Sequence, residues 1–157
     1  MSRISLDEKM MRQALLQAKQ AQNKNEVPVG AVLVDERGEI IAFAHNEQEQ
    51  RRDATAHAEI LVMRRAAAKL QRWRLTDLTL YVTLEPCPMC AGAILLSRIR
   101  RVVYGALDTR MGAMESLFAI PTHPALNHRI EVRAGVLEDE CKMLLHEFFT
   151  AKRKKGR

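Results

Sequence analysis

Apolar and polar positions alternate along this chain in two distinct periods. From Leu6 to about Gln22, Met10, Ala14, Leu15, Ala18 and Ala21 recur at helical spacing with Lys and Gln opposite them, which predicts an amphipathic helix. Val27–Pro28 breaks that pattern. Val29–Val34 is a short apolar run of strand type, Asp35-Glu36-Arg37-Gly38 is turn-forming, and Glu39–Ala44 completes a predicted hairpin. Residues 47–55 are polar and read as an exposed loop, with Asp53 and Thr55 as candidate helix N-caps. Helical spacing returns over Ala56–Leu70 through Ala58, Leu61, Val62 and Ala66. Thr79–Thr83 reads as a strand, Cys87 to about Ser97 as an apolar helix opened by Pro86 and Pro88, and Arg101–Tyr104 as a strand ended by Gly105. Residues 107–127 are irregular, with a short helix expected near Glu115–Ala119; a fifth strand follows at Arg129–Arg133 and a last helix at Glu138–Lys152. Five strands interleaved with helices imply the α/β class, with one central sheet covered by helices on both faces.

Length and charge sharpen this picture. The 157 residues suit one domain, and 47% hydrophobic with 28% charged residues is the balance of a globular protein with its own core. The net charge of +6 is mostly a tail: Lys152, Arg153, Lys154, Lys155 and Arg157 account for five positive charges, so residues 151–157 read as a basic C-terminal extension. Aromatic residues at 4% argue against a broad base-stacking surface. Met1 to Lys9 carries Asp7 and Glu8 and no apolar core, so no secretory signal is expected, and the apolar stretch Ala91–Leu96 is far too short to span a membrane. Three cysteines make a poor disulfide framework and point to the cytoplasm.

Candidate chemistry gathers in two segments, His57-Ala58-Glu59 and Pro86-Cys87-Pro88-Met89-Cys90, each at a predicted helix start. Cys87 and Cys90 are three apart, so on a helical turn their sulfurs share a face. A helix N-terminus favours thiolate, the form zinc requires, and proline fits the entry and first turn, where few N–H donors are needed. Two thiolates and one neutral imidazole, with His57 the nearest credible nitrogen, supply three ligands and balance a dication. Cys141, deep in the last helix, reads as a small core residue. The fourth position stays open, which is the catalytic arrangement, and water there ionises near neutral pH. Glu59, two residues beyond His57, is placed to take a proton from that water and return it to a substrate atom.

Taken together, the His-x-Glu and Pro-Cys-x-x-Cys segments resemble the signature of the zinc nucleobase deaminases, and the chain is similar to the cytidine deaminase-like superfamily. From about residue 8 to 153 it resembles the bacterial tRNA-specific adenosine deaminases within it. The matching segments are Glu26–Val32, Asn46, Thr55–Glu59, Thr79–Cys87, Met89–Ala93, Ser97–Ile99, Gly105-Ala106, Asn127-His128 and Phe148-Phe149. The resemblance implies a three-layer α/β/α fold with a mixed five-stranded sheet and one Zn2+ per subunit on His57, Cys87 and Cys90, with Glu59 as the catalytic carboxylate. It implies hydrolytic deamination of adenosine to inosine at the first anticodon position, the wobble base being splayed from a tRNA anticodon stem-loop into the zinc pocket. By position, Asn46 would read the base, Val29 would line the pocket, and the backbones of Ala58 and Glu85 would lie beside it. Asp108 would sit near the ribose, Asn127 and His128 would touch the anticodon loop, and of the adjacent Phe148 and Phe149 one ring would lie in the core and the other, Phe149, toward RNA, unless both pack in the core. Lys152 and Arg153 in the basic tail suit phosphate contact. A homodimer in which each RNA loop touches both subunits is also implied. Leu107 and Glu115 depart from the family pattern, while Arg110 keeps the charge of a common lysine. Two rivals remain open: a free-base deaminase acting on guanine or cytosine, and a noncatalytic RNA-binding subunit, against which the intact Glu59 argues.

Overall fold

The computed structural model describes residues 5–156, so Arg157 of the basic tail lies outside the described residues. Helix α1 (Leu6–Asn23) opens on Ser5, whose side chain accepts a hydrogen bond from Glu8 N, with Asp7 and Glu8 complementing the helix dipole in the first turn. It is followed by the hairpin β1 (Gly30–Val34) and β2 (Ile40–His45), a short helix α2 (Gln48–Arg51), α3 (Ala58–Leu70), β3 (Thr79–Leu84), α4 (Pro88–Leu96), β4 (Arg101–Ala106), a 3-10 turn (Ile120–Thr122), β5 (Glu131–Arg133) and α5 (Glu138–Lys155). The strands form one mixed sheet in the order β2-β1-β3-β4-β5. β1 is antiparallel to both its neighbours, whereas β3, β4 and β5 run parallel.

Period-two alternation builds a core on each face of the sheet. Ala31, Leu33, Leu80, Val82, Val102 and Tyr104 point toward α3 and α4, with Val62, Ala66, Ala91 and Ile94 packed over them. Val32, Val34, Tyr81 and Val103 point the other way, toward α1 and α5, and meet Met11, Ala14, Ala18 and Leu144. Cys141 belongs to this second core, as its position in the last helix predicts. Gly30 is required where α1 crosses β1, because a Cβ there would stand 2.0 Å from Ala14 O. The hairpin turn is closed by Asp35, whose Oδ1 accepts from Arg37 N and Glu39 N. Along the outer edge of the sheet, Arg65 donates to Phe43 O and Lys69 to Ile41 O, so two side chains of α3 occupy carbonyls of β2.

Four local expectations are corrected. The stretch read as a loop contains α2, because the buried Glu26 carboxylate accepts from Glu49 N and Gln50 N and caps that helix from a distant part of the chain. Neither Asp53 nor Thr55 caps α3: Asp53 bonds Thr55 in a local turn, and His57 is the N-cap residue. The short helix expected at Glu115–Ala119 does not form, since N–H groups there are taken by a side-chain carboxylate instead of by carbonyls one turn back. The last helix also runs beyond Lys152 to Lys155, its basic end matching the negative pole of the helix.

One buried charge cluster ties α1 to the sheet. Asp7 accepts from Tyr81 Oη at 2.7 Å, from both terminal nitrogens of Arg101 at 2.8 and 2.9 Å, and from Arg133. The Arg101 guanidinium, with Tyr81 and Arg133, holds the Asp7 carboxyl well below the usual range against the opposing cost of burial. A carboxylate whose folded pKa is depressed stabilises the fold above its unfolded pKa, near 4, and loses that contribution as pH falls through the depressed value. Asp7→Asn is therefore expected to cost about 1.5–3 kcal/mol at neutral pH, and the gap between variant and parent should shrink below pH 4. Thermal melts across that range measure both.

Candidate active site

Two helix N-termini converge at one end of the sheet. His57 is the N-cap of α3 and Cys87 the N-cap of α4, with Pro88 at the first position and Cys90 one turn in. Asn46, just past β2, fixes the first of these: its Oδ1 accepts from Ala58 N at 2.7 Å, a cap that His57 itself does not supply. This bond commits the oxygen of the carboxamide to the protein and leaves Nδ2 for the cleft that Asn46 lines.

His57 Nδ1 lies 3.6 Å from Cys87 Sγ and 3.5 Å from Cys90 Sγ, and the three ligand atoms all fall within 4.8 Å of one another. One imidazole nitrogen and two sulfurs at that separation fit a tetrahedral dication with one position left over. The Cys90 thiol donating to it, helped by the His57 ring, lowers the Cys87 thiol to about 4. Its bond to Cys87 raises His57 in turn. Cys90, whose thiol keeps its proton, donates a hydrogen bond to Cys87 and is fully buried, is pushed up. The trio thus shares protons that a cation would replace. Glu59, in the first turn of α3 and 4% exposed, is raised by burial to about 7, the range in which a carboxyl both accepts and releases protons.

Above this cluster opens a cleft of about 880 Å³. Of the residues expected at the site, Val29, Asn46, His57, Glu59, Glu85 and Cys87 line its inner part, and Asp108, Phe149, Lys152 and Arg153 its outer part. Ala58 and Cys90 are fully buried behind them. Phe148 is buried while Phe149, edge-on to it, lines the cleft, so the two adjacent rings divide between interior and site. Asn127 and His128 are not in this cleft. They line a second groove with Leu95, Leu96 and Leu126, and His128 Nε2 donates to Ile99 O at 2.8 Å.

A family model described as MafB19-like deaminase matches residues 6–153. The chain belongs to the MafB19-like deaminase family. This deaminase is 52% identical over 149 residues to the tRNA-specific adenosine deaminase of Bacillus subtilis (strain 168), covering 95% of this chain and 92% of that one. Among solved structures it is similar to one from work on A-to-I editing by tRNA:A34 deaminases at the wobble position (TM-score 0.83, 45% identity, 87% of this chain and 99% of the other). It is also similar, more distantly, to guanine deaminase from Nitrosomonas europaea (TM-score 0.76, 28% identity, 90% and 83% covered).

The deaminase site includes residues that its sequence did not single out. Gln48, brought in by α2, places its amide nitrogen 3.3 Å from His57 Nε2 and donates to Ala54 O. His146 lines the cleft one turn before Phe149, with Lys152 and Arg153 one turn after. The helical spacing 146–149–153 was the signal available for that face.

Proposed function

We propose that this deaminase converts adenosine to inosine at the wobble position of tRNA with a zinc ion held by His57, Cys87 and Cys90. The observation that carries the reading is the buried Glu59 carboxyl beside an imidazole and two sulfurs at the floor of a cleft with basic and aromatic residues at its mouth. A zinc ion there supplies a Lewis acid that makes water nucleophilic at neutral pH. Glu59 takes one proton from the attacking water and delivers it to N1 of adenine as the C6–O bond forms, then carries the second proton, from the new C6 hydroxyl, to the amino group, so that the C6–N bond breaks and ammonia leaves. Asn46 Nδ2 faces the cleft as a hydrogen-bond donor to the base, and Val29 packs against its face. Asp108 spends Oδ1 on Arg110 N and Met111 N, so an RNA hydroxyl would be met by its other oxygen. The volume of the cleft, well beyond one free base, and the cations on α5 favour a nucleic acid over free guanine or cytosine.

The groove beside α4 holds Asn127 and His128, and Leu96 stands exposed next to it. We infer a homodimer through this face, which lets Asn127 and His128 reach an RNA loop seated in the partner. No helix among the described residues is long and apolar enough to cross a membrane, and the reduced thiols suit the cytoplasm.

Incubating the zinc-loaded protein with a tRNA pool, and sequencing for inosine, tests the substrate directly. Inosine confined to the first anticodon position supports the reading; deamination of free guanine or cytosine with tRNA untouched overturns it. Truncation after Ala151 should weaken tRNA binding and flatten its salt dependence by about one to two logarithmic units of slope, since Lys152 and Arg153 line the cleft. Binding titrations at several salt concentrations measure that slope.

A further inference from the structure

We propose that the Glu85 carboxylate is a positioning residue that shapes the loop from Asp108 to Ser116 into the outer wall of the substrate cleft. The proposal rests on the tRNA reading above and adds a residue that acts on RNA binding through its neighbours. Glu85 is 2% exposed and leads directly into Pro86-Cys87. Its Oε1 accepts from Asp108 N at 3.0 Å and from Ser116 Oγ. Its Oε2 accepts from three consecutive backbone groups, Met114 N at 3.1 Å, Glu115 N at 2.9 Å and Ser116 N at 2.9 Å. All five donors belong to one segment without regular secondary structure. Successive N–H groups turned inward make an anion cradle, and here the anion is the protein's own.

This geometry closes the loop at both ends. Between the two attachment points, Gly112 N donates to Asp108 O at 2.8 Å, and Asp108 Oδ1 accepts from Arg110 N and Met111 N. The turn that carries Asp108, Arg110 and Met111 to the cleft therefore hangs from Glu85. Gly112 fits beneath it only because it lacks a side chain: a Cβ would stand 2.4 Å from the Glu85 carboxylate and 2.3 Å from Asp108 O. Glu115, which departs from the family pattern, adds a further tie by accepting from Tyr104 Oη at the core. Only Pro86 separates Glu85 from Cys87, so one short segment links the cysteine cluster at the floor of the cleft to its outer wall.

The test is Glu85→Gln, which keeps the shape but turns one acceptor into a donor facing donors. KM for an anticodon stem-loop is expected to rise about tenfold or more, with kcat within about threefold and zinc still one per chain. Amide exchange at 114–116 should accelerate while β3 and β4 stay protected. Gly112→Ala, which drives a methyl group onto the same carboxylate, should give the same split, and it decides the matter if Glu85→Gln does not fold. Parental KM and exchange in these variants would overturn the proposal. So would loss of zinc and kcat at unchanged KM, which would make Glu85 a support of the metal centre. The exchange experiment needs no substrate, so its outcome is independent of whether the parent protein deaminates tRNA.

Discussion

Glu59→Gln protein is expected to bind one zinc per chain, to melt near the parental temperature, and to deaminate adenosine about 10²–10⁴-fold more slowly. The carboxyl sits at the start of α3 with 4% exposure and lines the cleft beside the His57–Cys87–Cys90 cluster, so its loss removes a proton carrier and little else. The carboxamide keeps the shape and cannot take a proton from water. Because the same carboxyl is asked to serve N1 and then the leaving amine, substrate binding should change far less than turnover. Inosine formation under single-turnover conditions, with zinc measured by atomic absorption on the same sample, separates the two effects. A rate within tenfold of the parent would mean that the proton travels through another group.

His57→Ala is expected to abolish metal binding and to lower turnover more than about 10⁴-fold, since the nucleophile depends on the metal. The ring contributes Nδ1 to the cluster at 3.5–3.6 Å from both sulfurs, and no other histidine is part of that group among the described residues. Its removal leaves two thiols at the N-terminus of α4, one lowered and one fully buried, without a third donor. Zinc content after dialysis is the decisive reading. Full occupancy in the variant would show that the metal is held by other atoms.

These two predictions rest on residues whose meaning is carried by short-range spacing. Cys87 and Cys90 share a face of the first turn of α4, and His57 and Glu59 both lie at the start of α3, so each pair is set by local spacing and only the meeting of the two pairs depends on the fold. The sheet was legible for a similar reason: strands buried on both faces read as short apolar runs, and Val29–Val34 differs from β1 by one residue. Glu26, Asn46 and Glu85 tell the opposite story. Each is a polar residue beside a strand whose partners are backbone N–H groups 12 to 31 residues away. Backbone donors have no sequence signature, so α2 and the loop between Asp108 and Ser116 were opaque although the side chains that organise them were in plain view. Asn127 and His128 illustrate a related limit, since a family motif places residues in an assembly and one chain places them only on its own surface.

The cations of α3 that reach over β2 bear on how this protein ages in solution. An outer strand with idle carbonyls is a template on which a second chain can add, and stacked additions grow into insoluble fibrils. Here Arg65 and Lys69 already occupy the acceptors at Phe43 and Ile41, and an incoming strand would have to displace two hydrated charges to begin. Self-association by adding a strand to β2 is thereby disfavoured.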